Sequence, residues 1–156
     1  MKKIMLGILM MSLMVASVSA SFWQNTVDVL DLVEKDSSWD PVEDGAHVKV
    51  IFSQITRRGI VRSNRVRVMV WGLEAKTKYQ LIEYVDPWSS HEAICIGRPR
   101  RTSTRGYFKS GSAKIDSINN GVDQKFWVVL ASDVDCKNSV MTNWNPESYL
   151  FESRLV

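Results

Sequence analysis

The stretch RVRVMVWGLEAKTKYQLIEYV, from Arg65 to Val85, decides the fold. Val66, Val68 and Val70 recur at every second position, with Arg65, Arg67 and Met69 between them. A period of two sends one set towards a buried sheet face and the other towards water. Further on, Leu81, Glu83 and Val85 alternate with Gln80, Ile82 and Tyr84. Between the two runs, Gly72 to Lys78 supplies the break that a chain needs to leave one sheet and enter another. Two strands joined in this way are a unit of a β-sandwich.

Working outward, Val27 to Val33 alternates imperfectly and reads as a strand, a short helix being the alternative; His47 to Phe52 reads as the next strand, after an acidic loop, Asp36 to Gly45, that Pro41 and Gly45 break. Ser21 to Thr26 reads as a loose arm, and Arg57 to Asn64 as a polar connection around Gly59. Downstream, Asp86 to Ser90 is a loop, Ala93 to Ile96 a short strand, and Gly97 to Gly106 a basic, hydroxyl-rich connection. Tyr107 to Ile115 alternates again around Gly111, and Asn119-Asn120-Gly121 signals a turn. Phe126 to Ala131 is apolar nearly throughout, as a central buried strand would be. Asp133 to Pro146 reads as a long loop and Ser148 to Arg154 as the last strand. Seven to nine short strands without a long amphipathic helix predict an all-β chain, a single antiparallel β-sandwich over residues 21–156.

Residues 1–20 read as a signal peptide, a retained N-terminal membrane anchor being the alternative: Lys2 and Lys3, an apolar run from Ile4 to Val15, then Val18-Ser19-Ala20 before a cut. The expected product is secreted or extracytoplasmic, with no transmembrane segment after cleavage. Taking the two leader lysines from the twenty basic residues leaves eighteen against seventeen acidic ones. That balance argues against nucleic acid as a partner. Charge is instead distributed unevenly. Residues 28–44 are acidic, whereas Arg57, Arg58, Arg62, Arg65 and Arg67 form one basic group and Arg98, Arg100, Arg101 and Arg105 another. Two cysteines remain, Cys95 and Cys136. In an oxidising compartment they are expected to pair, two free thiols being the alternative.

Gly72-Leu73-Glu74-Ala75-Lys76-Thr77-Lys78-Tyr79 resembles the G-L-x-x-x-T-x-Y corner of immunoglobulin-like and fibronectin type III-like domains. The resemblance implies an immunoglobulin-like sandwich in which the Tyr79 hydroxyl ties the crossing between sheets to nearby backbone. Asp31 to Asp36 with Trp39, Tyr84 to Trp88, Ser132 to Cys136 and Trp144 to Glu152 together resemble small exported β domains of archaeal, methanogen-like surface proteins. Those domains bring no activity to carry over. The chain departs from them at Arg57 to Arg62 and Arg98 to Arg105, where arginines replace Gly-rich or Asp-rich turns.

Catalytic signatures are missing: there is no GxSxG, HExxH, P-loop or GxGxxG. His47 and His91 are the only histidines, and no enzyme or cofactor is expected. Asp133 and Asp135 lie two apart and, with Asn138, could face a hard cation; the spacing lacks the Gly and distal Glu of a defined calcium loop, so no metal is expected. Trp39, Trp88 and Trp144 sit in polar loops, where an indole either stacks on a sugar ring or plugs the end of the core. Arg98, Arg100 and Arg101 suit an anionic polymer, a lipid headgroup or an acidic protein, or simply solubilise the surface. The sequence therefore points to a non-catalytic binding or structural module of the cell envelope, its partner an envelope polymer or protein, with carbohydrate or cell-wall polymer as the sharper version. The alternative is a secreted inhibitor that offers its basic loop to an enzyme cleft.

Overall fold

A computed structural model describes residues 23–85, 92–116 and 124–152. Its strands are β1 (Trp23–Val33), β2 (His47–Arg57), β3 (Ile60–Trp71), β4 (Lys78–Val85), β5 (Ala93–Arg101) and β6 (Phe108–Lys109), followed by β7 (Ala113–Ile115), β8 (Gln124–Leu130), β9 (Val134–Asp135), β10 (Val140–Met141) and β11 (Phe151–Glu152). The first sheet runs β11-β1-β2-β3-β6, with β7 also on β3; the second runs β5-β4-β8; β9 and β10 form a hairpin. Every pairing is antiparallel. The chain is thus all-β, with two sheets face to face. The eleven strands among the described residues exceed the seven to nine expected because five of them are only two or three residues long.

The period-two reading of β3 holds. Val66, Val68 and Val70 are buried with Val48, Val50 and Phe52 of β2, against Leu81, Ile96, Phe126 and Val128 of the second sheet. The rings of Phe52 and Phe126 meet across the sheets at 5.0 Å. The crossing from β3 to β4 is stitched down. Gly72 adopts φ +80, and a side chain there would come within 3.0 Å of the Ala46 Cα, so glycine is required twice over. Leu73 N–H donates to Gly106 O (3.2 Å), and the buried Thr102 hydroxyl donates to Glu74 O (2.6 Å). Tyr79 is buried, its hydroxyl bonded to the backbone of Glu74, and burial pushes its ionisation up. The corner is therefore present. The strand order nevertheless departs from the immunoglobulin arrangement, where the third strand lies in the second sheet.

Several local expectations are corrected. Residues 23–26 are no loose arm but the start of β1, paired with Ser53 to Thr56. Arg57 to Asn64 is no connection either. Arg58 and Gly59, at φ 54 and 75, make a two-residue hairpin loop, and β3 begins at once. Its first residues are polar or exposed because this end of the strand overhangs the core. Likewise Gly97 to Arg101 continues β5, and Ser148 to Arg154 supplies only β11 among the described residues. The turn expected at Asn119 to Gly121 lies outside them.

Strands β4 and β8 of the second sheet are buried on both faces. Ile82 and Tyr84 of β4 and Trp127 and Val129 of β8 point away from the main core into a second cluster with Val134, Tyr149 and Phe151. Tyr84 and Trp127 stack at 4.5 Å. Residues 131–149 form this cover. Its β9–β10 hairpin is tied to β5 by the Cys95–Cys136 disulfide and by Ala93 N–H donating to Ser139 O (2.9 Å). Phe126 to Leu130 is thus apolar throughout because of this cover; β8 lies at the rim of its sheet, not at the centre. Val128 and Leu150 exchange two backbone hydrogen bonds (3.0 and 2.9 Å), which lock the sheets together at the β8–β11 side. At the opposite side no ladder joins β5 to β7 among the described residues.

Candidate functional site

Beyond β1 the chain doubles back as a tight, cross-braced loop. Glu34 N–H donates to Ala46 O (2.9 Å), Val42 N–H to Glu34 O (3.0 Å), and Asp36 N–H to Asp40 O (2.9 Å). The Asp36 carboxylate accepts the amides of Ser38 (2.8 Å) and Asp40 (3.0 Å) in one oxygen, and the Glu34 carboxylate accepts that of Ala46 (3.0 Å). Aspartate suits this place because its short carboxylate reaches amides two to four residues on. The result holds Trp39 at φ 65, a conformation that costs a bulky residue about 1–3 kcal/mol and persists only where its surroundings enforce it.

Trp39 is 47% exposed and packs against Phe151 at 5.0 Å, the two rings tilted by 58°. Trp144, 42% exposed, also reaches Phe151 (6.2 Å) and packs on Trp127 (5.9 Å) and Tyr149 (5.6 Å). Two of the three loop tryptophans therefore converge on a single buried ring. Trp88, like His91, lies outside the described residues. Alongside Trp39 a groove of about 660 Å³ is lined by Glu34, Asp36, Glu147 and Lys35, with Phe151 as its apolar floor. An indole face beside carboxylates and an ammonium group is what a sugar demands. The ring's C–H face packs on the aromatic system, and its hydroxyls donate to the acids. Asp36 and Glu147 are exposed, and Glu34 uses one oxygen on Ala46, so none is placed as a shielded proton donor.

The other expected residues lie elsewhere. Strand directions put Arg101 at the end that carries the Trp39 loop but on the β5 side, and the Arg57 to Arg62 hairpin at the far end. The two arginine groups do not meet. Asp133 and Asp135 do not converge on a cation. Asp133 is buried and accepts the Tyr149 hydroxyl (2.7 Å) and the Ser132 hydroxyl (3.0 Å). The Asp135 carboxylate accepts the amides of Lys137 and Asn138 (2.9 and 3.2 Å) and the Asn138 side chain (2.6 Å), which holds its ionisation below the usual carboxylate range. His47 stacks on Trp71 at 4.9 Å, away from any acid pair described here. Sequence reasoning missed Glu34, Glu147 and Phe151. Only the acidity of residues 28–44 hinted at the first.

No protein-family model matches the chain, and neither a curated protein nor a solved structure does.

Proposed function

We propose that this chain is an exported, non-catalytic binding module of the cell envelope, and that the Trp39 groove takes carbohydrate. The carrying observation is the half-exposed Trp39, kept at a strained φ by a hydrogen-bonded loop and backed by Phe151. A surface indole fixed before its ligand arrives loses little freedom on binding. A Cys95–Cys136 disulfide fits an oxidising compartment, and no helix among the described residues is long and apolar enough to cross a membrane.

Retention on a panel of immobilised polysaccharides tests the reading. Trp39→Ala is expected to weaken retention by at least about tenfold, as loss of an aromatic anchor does, while unfolding at nearly the same temperature. Unchanged retention of a folded variant would remove the groove from consideration. The inhibitor reading draws on a different feature, the exposed Ile60 and Val61 between Arg58 and Arg62 at the hairpin tip.

A further inference from the structure

The side of the molecule where no ladder closes the sandwich holds a slot of about 230 Å³. Its walls belong to the main core: Val66, Val68, Leu81, Ile96 and Phe108. An apolar cavity of about 150 Å³ already accepts a benzene ring, so a run of methylenes has room here. Two backbone irregularities hold the slot open. Ser110 N–H donates to Val68 O, and Val68 N–H donates to the Ser110 hydroxyl, both at 2.9 Å, so the chain kinks between β6 and β7. On the facing wall, Leu81 pairs with Ile96 and Tyr79 with Arg100, leaving Gly97, Arg98 and Pro99 opposite Gln80 alone.

That bulge re-aims the side chains that follow it. Arg100, directly opposite the core-facing Tyr79, takes the same side of the sheet. Its guanidinium spans the mouth towards the other wall, where a methyl group on Gly111 would meet Nη2 at 3.5 Å. Arg98 lines the same opening. Among the described residues neither arginine forms an ion pair. An apolar hole thus opens beside two arginines that no acid among the described residues pairs. A carboxylate fits a guanidinium fork with two parallel hydrogen bonds.

We propose that the slot binds a fatty acid of short to medium chain, with the chain between the sheets and the carboxylate on Arg98 and Arg100. The site lies on the opposite side from the Trp39 groove and does not depend on the carbohydrate reading. An inward charge on an edge strand also deters pairing with another sheet, but that role alone gives no preference among ligands.

Decanoate, kept below its micelle concentration, is titrated into the intact protein by calorimetry, with decan-1-ol and decylamine as controls. The expected result is one saturable site that favours decanoate over the alcohol by at least about tenfold and ignores the amine. Equal affinity for acid and alcohol, or no saturable decanoate binding, overturns the proposal. Arg98→Ala with Arg100→Ala, both exposed, is expected to abolish the preference and leave folding intact; a preference that survives overturns it. Ala113→Leu, reaching in from β7, is expected to exclude decanoate, and unchanged affinity in that folded variant contradicts the slot. Should Ala113→Leu fail to fold, the arginine pair decides.

Discussion

Replacing Cys95 and Cys136 together by serine is expected to lower stability by about 4 kcal/mol at 25 °C. The residues are 41 apart in sequence, and freeing a loop of that length restores this much chain entropy to the unfolded state. The bond also joins β5 to the cover over the second sheet. Its loss is therefore expected to reach the buried stack of Tyr84 and Trp127. Denaturant unfolding of the oxidised protein and the double variant, each extrapolated to water with its own slope, gives the difference. A loss under about 1 kcal/mol would show that hydrogen bonds and packing hold the cover without the bond.

Tyr149→Phe is the second large effect, a loss of about 2–3 kcal/mol. The side chain is fully buried, and its hydroxyl donates to Asp133 Oδ2 at 2.7 Å while accepting the Asn145 amide at 3.0 Å. Phenylalanine leaves the buried Asp133 carboxylate with only the Ser132 hydroxyl from a side chain and strips the Asn145 amide of its acceptor. The same hydroxyl sets a pH dependence. Burial first, then the hydrogen bond to Asp133, raise the Tyr149 ionisation well above the ordinary tyrosine value. An acid whose folded pKa is raised is disfavoured in its charged form, so the unfolded chain releases its proton first. The contribution of Tyr149 is then constant below about pH 10 and falls as pH rises through and beyond that ordinary value. Tyr79 adds to the fall in both proteins. The gap between wild type and Tyr149→Phe should accordingly narrow above about pH 10; a gap constant with pH would contradict the buried hydroxyl.

Much of the main core was legible because its signal is local. Val66, Val68 and Val70 declare a face by spacing alone, and Gly72 to Tyr79 declares the crossing. The second core was not legible, because what covers Ile82 and Trp127 is a polar, turn-rich segment with little periodicity of its own. Phe126 to Leu130 signalled burial on both faces without saying what buried them. Trp39 and Trp144 were visible as candidates, but their meeting on Phe151 requires β11 to lie beside β1, a pairing between residues more than a hundred apart. The arginines of β5 were visible as a group. That Arg100 turns inward depends on a bulge opposite Gln80, and nothing in the composition of Gly97 to Arg101 specifies a register shift.

Indole N–H resonances give the most direct test of the groove, since the chain has six tryptophans and each contributes one signal. Titrating an oligosaccharide cut from the best-retained polysaccharide into labelled protein should move the Trp39 signal, and Trp144 with it, more than that of Trp71, which stacks on His47 three strands along the sheet from Phe151. A saturating titration that leaves Trp39 unmoved would contradict carbohydrate binding in this groove.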